Sequence, residues 1–141
     1  GVRCYCGRQG CLETLAAIPA IERESSVALG KAGVTFEEVA TMYRAGDERI
    51  AGIVDSAAET LGTAVGNILT VFPTSRAVFT GRLLDLGERY FAVLERSIRG
   101  TTLPLFMEAT RISLSKNPEE NAALGACAVI LRKIFTGDVA A

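Results

Sequence analysis

The chain has 141 residues, a one-domain length that is long enough to bury a working core. Apolar residues make up 49% and charged residues 22%, which sets it among soluble globular domains and apart from disordered or fibrous chains. Fifteen basic residues are scattered among sixteen acidic ones, for a net charge of −1, so this chain alone lacks the clustered Lys and Arg that nucleic acid binding needs.

Residues 1–11 form a Gly- and Cys-rich loop. Leu12, Leu15, Ile18 and Ile21 follow at helical spacing, and Pro19 breaks or kinks that segment or starts a second helix. Gly30 to Gly33 is a loop. Thr35 and Glu38 then make a capping box, with Val34 and Val39 at the staple positions, and predict a short helix to Arg44. The longest predicted element runs from Asp47 to Val71, with Ile50, Ile53, Val54, Ala57, Leu61, Val65, Ile68 and Leu69 on one stripe. Gly62 and Gly66 flank the stripe; glycine costs about 1 kcal/mol against alanine inside a helix, so the pair predicts close backbone packing. Pro73 ends the helix.

Ala77 to Thr80 reads as a short, fully buried strand running into Gly81. A helix is expected from Leu86 to Ile98, and Leu103-Pro104 is assigned to a connection. Arg111 to Ser115 alternates as a second strand. Asn117-Pro118-Glu119-Glu120 opens a last helix that holds Ala122 to Phe135. Two strands joined by a helix predict a parallel crossover, and so small a sheet points to further strands outside this sequence. Gly1 rather than Met opens the chain, which reads as one portion of a larger protein. No run reaches the roughly 20 apolar residues of a membrane span, and a cysteine cluster stands where a signal peptide would lie.

Cys4-Tyr5-Cys6-Gly7-Arg8-Gln9-Gly10-Cys11 has the spacing C-x-C-x4-C. Thiolates are soft anionic ligands for zinc, and tight loops deliver them at short spacing. Reduced, unliganded thiols and a local disulfide are the alternatives. A structural zinc site takes four ligands, and the chain has no histidine. Cys127 is a candidate fourth, but its apolar helical setting predicts a buried core thiol. Glu13 opens the first helix, where a carboxylate gains from the helix dipole. It is either a solvated first-turn acid or a carboxylate aimed into a cleft.

The string Cys4-x-Cys6-Gly7-x-x-Gly10-Cys11-Leu12-Glu13 resembles the signature of the ROK family of repressors and sugar kinases. Leu61-Gly62, Gly66-Asn67-Ile68-Leu69, Pro73, the strand into Gly81 and the closing Ala123-Leu124-Gly125-Ala126 are similar in order. The resemblance covers the whole chain and implies an α/β fold: the C-terminal lobe of an actin-like (ribonuclease H-like) ATPase fold, helix-rich with a small parallel sheet. It divides residues 1–141 into a zinc-binding loop (1–13), an α/β lobe (14–135) and a tail (136–141). It implies structural zinc on Cys4, Cys6 and Cys11, with a histidine upstream as fourth ligand, and Glu13 as the group that binds sugar hydroxyls.

Within the family the string looks most like the repressor branch. That branch implies a sugar-responsive transcriptional regulator, with a sugar or sugar-phosphate effector and DNA read by a preceding winged helix-turn-helix. The alternative is an ATP-dependent sugar kinase of the glucokinase or N-acetylmannosamine kinase type, using ATP and Mg²⁺. Kinases of the family usually show a glycine pair after the strand. Here Gly81 alone matches as a nucleotide-binding position, and Arg82 replaces the second glycine. A cytoplasmic homo-oligomer without membrane contact completes the expectation, and no catalytic residue is assigned.

Overall fold

The computed structural model describes residues 1–115 and 121–136. The order is α1 (Glu13–Ala16), α2 (Ile18–Leu29), α3 (Phe36–Arg44), α4 (Glu48–Val71), β1 (Arg76–Phe79), a 3-10 turn (Arg82–Leu86), α5 (Glu88–Thr101), α6 (Pro104–Ala109), β2 (Arg111–Leu114) and α7 (Asn121–Thr136).

The first predicted helix is two helices. Ala17 is extended (φ −82°, ψ 161°), and Pro19 sits in the first turn of α2, where its missing N–H leaves no bond unmade. Leu12 and Leu15 are exposed as a result, while Ile21 on α2 is buried. The capping box of α3 is complete: the Thr35 hydroxyl accepts from the Glu38 N–H, and the Glu38 carboxylate accepts from the Thr35 N–H. Val34 and Val39 are both buried, as a hydrophobic staple requires. The Glu22 carboxylate also accepts from the Phe36 N–H at 2.8 Å, which ties the start of α3 to α2.

The central element is α4, capped by the Asp47 carboxylate on the N–H groups of Arg49 and Ile50. Its buried face carries Ile50, Val54, Ala57, Ala58, Gly62, Gly66 and Leu69. Ile68, predicted on the stripe, is 57% exposed. A Cβ on Gly66 would stand 2.6 Å from the Thr101 Cβ of α5, so the two helices meet backbone to side chain with no room between. Around this pair the core gathers Phe36, Val39, Tyr43, Leu86, Tyr90, Leu94 and Ile98. Each large apolar side chain so buried contributes about 1.5–3 kcal/mol.

The strands β1 and β2 pair in parallel, from Arg76 opposite Arg111 to Phe79 opposite Leu114. The expectation of a fully buried strand fails: β1 alternates, with Ala77 and Phe79 packed on the core and Val78 exposed. The reason is that the helical core covers only one face of this ribbon. Leu103-Pro104 is more than a connection. Pro104 takes the first position of α6, and the helix carries Met107 into the core.

The last predicted helix forms as α7, and its predicted opening at Asn117 to Glu120 lies outside the described residues. Cys127 corrects the sequence expectation. It is exposed rather than buried, because among the described residues α7 adds none to the core cluster and its described side chains face outward.

Candidate metal loop and ligand site

Residues 1–11 fold into a small knot of backbone hydrogen bonds. The Cys4 N–H donates to the Arg8 carbonyl at 2.7 Å, the Gly7 N–H to the Cys4 carbonyl at 3.0 Å, and the Gly10 N–H to the Val2 carbonyl at 3.3 Å. Arg3 and Gln9 pair as an isolated antiparallel bridge. Gly7 (φ 85°) and Gly10 (φ 70°) take the left-handed conformations that close this turn and that side chains disfavour.

The knot brings the three predicted sulfurs together. The Sγ atoms of Cys4, Cys6 and Cys11 all lie within 4.8 Å of one another, and Cys6 and Cys11 are 3.6 Å apart. Zinc–thiolate bonds of about 2.3 Å at tetrahedral angles place sulfurs about 3.8 Å apart, so the cluster fits a metal of that kind. Cys4 is buried, Cys11 half-buried and Cys6 exposed. Hydrogen bonds from the Arg8 backbone and side chain bring the Cys6 thiol down to about 7. Cys11 is pushed up to about 11, chiefly because it holds its proton to share with Cys6. Cys6 therefore gives up its proton more readily than Cys11, and a cation replaces the remaining protons when it binds. Among the described residues Cys127 is not part of this cluster.

Glu13 follows directly, as the first residue of α1, and is exposed. The Cys11 carbonyl accepts from both the N–H (2.9 Å) and the hydroxyl (2.7 Å) of Thr14, and Arg23 of α2 donates to the Thr14 carbonyl at 3.0 Å. The cysteine loop thus sets the position of α1. Glu13 edges a hollow of about 230 Å³ that Leu12, Ala16, Ala17, Leu61 and Leu83 complete.

Gly81 is exposed with φ 108°, and Arg82 begins the 3-10 turn right after it. The Arg82 guanidinium donates to the Glu37 carboxylate and lies 5.2 Å over the Phe36 ring. The carboxylate's own backbone, then the charge of Arg82, hold Glu37 below the usual carboxylate range.

Sequence reasoning missed two features. Tyr43 donates to Asp55 at 2.5 Å, and Arg89 donates to the other oxygen of Asp55 at 2.6 Å, so α3, α4 and α5 share one polar cluster. Its only signal was an aspartate beside the apolar stripe of α4. A cleft of about 520 Å³ also opens between α2 and α4, lined by Ile21, Arg23, Glu24, Arg49, Ser56 and Thr60 among others. No motif marks it, because its walls come from residues some thirty positions apart.

A model of the ROK family matches residues 1–133. The chain belongs to the ROK family. It is 25% identical to the DNA-binding transcriptional dual regulator NagC of Escherichia coli strain K12, over 97% of this chain and 36% of NagC. It is 26% identical to a glucokinase of Thermotoga maritima, over 95% of this chain and 46% of that enzyme. The solved structure of a ROK hexokinase from Thermus thermophilus superposes with a TM-score of 0.77 and 28% identity, over 89% of this chain and 42% of the hexokinase. This ROK chain thus spans less than half the length of each of these relatives. Its fold is the helix-rich lobe with a small parallel sheet that the actin-like ROK proteins share. The NagC regulator and the glucokinase match at similar identity. Among the described residues no helix is long and apolar enough to cross a membrane.

Proposed function

We propose that this chain is the sugar-sensing, zinc-bearing part of a ROK transcriptional regulator. The observation that carries the reading is Arg82. It occupies the position after Gly81 where ROK kinases usually carry a second glycine, and its side chain is engaged with Glu37 and Phe36. Where a second glycine would leave bare backbone, this chain carries a side chain held on α3.

In this reading Cys4, Cys6 and Cys11 hold a structural zinc ion, with an upstream histidine as fourth ligand. Zinc braces the loop, and the loop holds Glu13 through Thr14, where the carboxylate accepts hydrogen bonds from sugar hydroxyls. Sugar binding then favours one of two lobe arrangements that a DNA-binding part senses, a coupling typically worth about 1–3 kcal/mol. DNA, a sugar or sugar-phosphate effector, and self-association belong to this proposal. The likeness to a glucokinase and a hexokinase supports a second reading, in which Glu13 orients the sugar for attack on ATP with Mg²⁺.

The deciding experiment uses the intact protein that carries this chain. Sugar-responsive DNA binding without ADP release across a hexose panel is the expected result. Sugar-dependent ADP release would overturn the regulator reading. Calorimetry with the responding sugar tests the site itself: Glu13→Ala is expected to weaken binding at least tenfold, and an unchanged affinity removes Glu13 from the role.

A further inference from the structure

We propose that Cys6 and Cys11 are a redox-active pair, closed to a disulfide by hydroperoxides, reopened by thiols, and incompatible with a bound metal while closed. The pairing stands on the positions of the sulfurs alone. The consequence for metal stands on the zinc reading above.

The two Sγ atoms are already 3.6 Å apart. A disulfide of about 2.05 Å needs them to approach by roughly 1.5 Å. The turn between them supplies that freedom. Gly7 and Gly10 lie between the two cysteines in left-handed conformations, and nothing lies within 4 Å of where a Cβ would stand on either. Access chooses the pair. Cys6 is exposed and Cys11 half-buried, whereas Cys4 is 6% exposed and its N–H is bound to the Arg8 carbonyl beneath the turn. Cys4 lies within sulfur reach of both, but an oxidant in water meets Cys6 first.

The step balances without a further reagent. The Cys6 thiolate attacks the distal oxygen of a hydroperoxide, the O–O bond breaks, and the alkoxide or hydroxide leaves and takes a proton. The Cys6 sulfenic acid is then attacked by the Cys11 sulfur; the S–S bond forms, and the oxygen leaves as water with the Cys11 proton. Two thiols are oxidised and one peroxide is reduced to alcohol and water. An external thiol reverses the bond by exchange, and its own pair is oxidised in turn.

Closure removes two of the three clustered thiolates, which leaves Cys4 as the one soft anionic donor. It also pulls on the Cys11 backbone, whose carbonyl holds both the N–H and the hydroxyl of Thr14. Oxidation at the loop therefore reaches α1 and Glu13 by a direct hydrogen-bonded route.

The test takes the intact protein that carries this 141-residue chain, reduced, with and without one equivalent of zinc, and treats it with hydrogen peroxide before alkylation. Trypsin cuts after Arg3, Arg8 and Arg23, so the pair is read as a link between residues 4–8 and 9–23. The expected product carries that link with Cys4 and Cys127 alkylated, reverts with dithiothreitol, and persists in Cys4→Ser. In the zinc-loaded sample a chromogenic chelator should register metal release in step with disulfide formation. Alkylation of both Cys6 and Cys11 after peroxide, or their conversion to separate sulfinic acids, would overturn the proposal. So would a link through Cys4 or Cys127. An intact protein that closes the disulfide yet never binds zinc retains the pair and loses the zinc reading. One that binds zinc yet keeps Cys6 and Cys11 reduced once the metal is stripped does the opposite.

Discussion

Gly62 of α4 faces Ser97 of α5 so closely that a Cβ on the glycine would stand 2.5 Å from the serine Cβ and 2.8 Å from the Leu94 carbonyl. The serine uses this proximity, its hydroxyl donating to the Glu59 carbonyl at 2.8 Å across the interface. Gly62→Ala is expected to destabilise the chain by about 1–3 kcal/mol, because overpacking outweighs the better helix propensity of alanine. Gly52→Ala, on the same helix but with open space at its Cβ, should instead stabilise by roughly 0.5–1 kcal/mol. Urea unfolding of the two variants checks both signs.

Tyr43 and Tyr90 are neighbours in the core with opposite accounts. Tyr43 donates a hydrogen bond to Asp55, while the buried Tyr90 hydroxyl has no hydrogen-bond partner among the described residues. Tyr90→Phe should therefore be neutral or slightly stabilising at pH 7. Tyr43→Phe leaves Asp55 short of a donor and should cost about 1–2 kcal/mol. Denaturation midpoints of the two variants would separate the cases.

Those phenols also predict the alkaline limit. Burial pushes Tyr90 up to about 12, and burial together with the Asp55 carboxylate raises Tyr43 as well. A raised phenol binds its proton more tightly in the folded state. The stability it contributes is complete below pH 10, the ordinary tyrosine value, and is lost as pH rises toward the folded value. Phenolate absorbance and helical circular dichroism should change together above pH 10, and Tyr90→Phe should move that transition upward.

The acid side rests on helix caps. The Lys31 ammonium and the Thr35 N–H hold Glu38 below the usual carboxylate range, and Arg49 with the α4 N–H groups does the same for Asp47. A lowered carboxylate contributes its stability above its ordinary value and loses it as pH falls through the folded one. Thr35→Ala should cost about 1 kcal/mol at pH 7 and less at an acid pH low enough to protonate Glu38, where the reciprocal box is already weakened. Thermal melts of both proteins at the two pH values give the comparison.

On the zinc reading, removal of the metal should act locally. The cysteine loop hydrogen-bonds to α1 and through Thr14 to Arg23, but contributes no side chain to the central core cluster. A chelator is expected to speed amide exchange in residues 1–16 while leaving protection in α4 and α5 unchanged. Equal loss of protection in α4 would show that the loop holds the whole fold.

Much of this was readable from order alone. The capping box at Thr35 and Glu38, the stripe of α4, the glycine contacts and the three clustered sulfurs all follow from interactions within a few residues or from a period that repeats. The same local rules misjudged β1 and Cys127, since an apolar run is equally apolar whether one face or two are covered. Leu103-Pro104 was read as a connection although proline opens α6, because six residues are too few to show a period.

The loop makes the division plain. The spacing of Cys4, Cys6 and Cys11, with glycines between, determined that three thiols would meet, because so short a tether leaves them few other places. Only the tertiary structure decided which thiol is buried, that Arg23 of α2 holds the Thr14 carbonyl, and that Arg82 reaches back to Glu37 and Phe36. Those outcomes depend on how α2, α3 and α4 stack, and stacking is settled by the summed fit of distant side chains that no local pattern records.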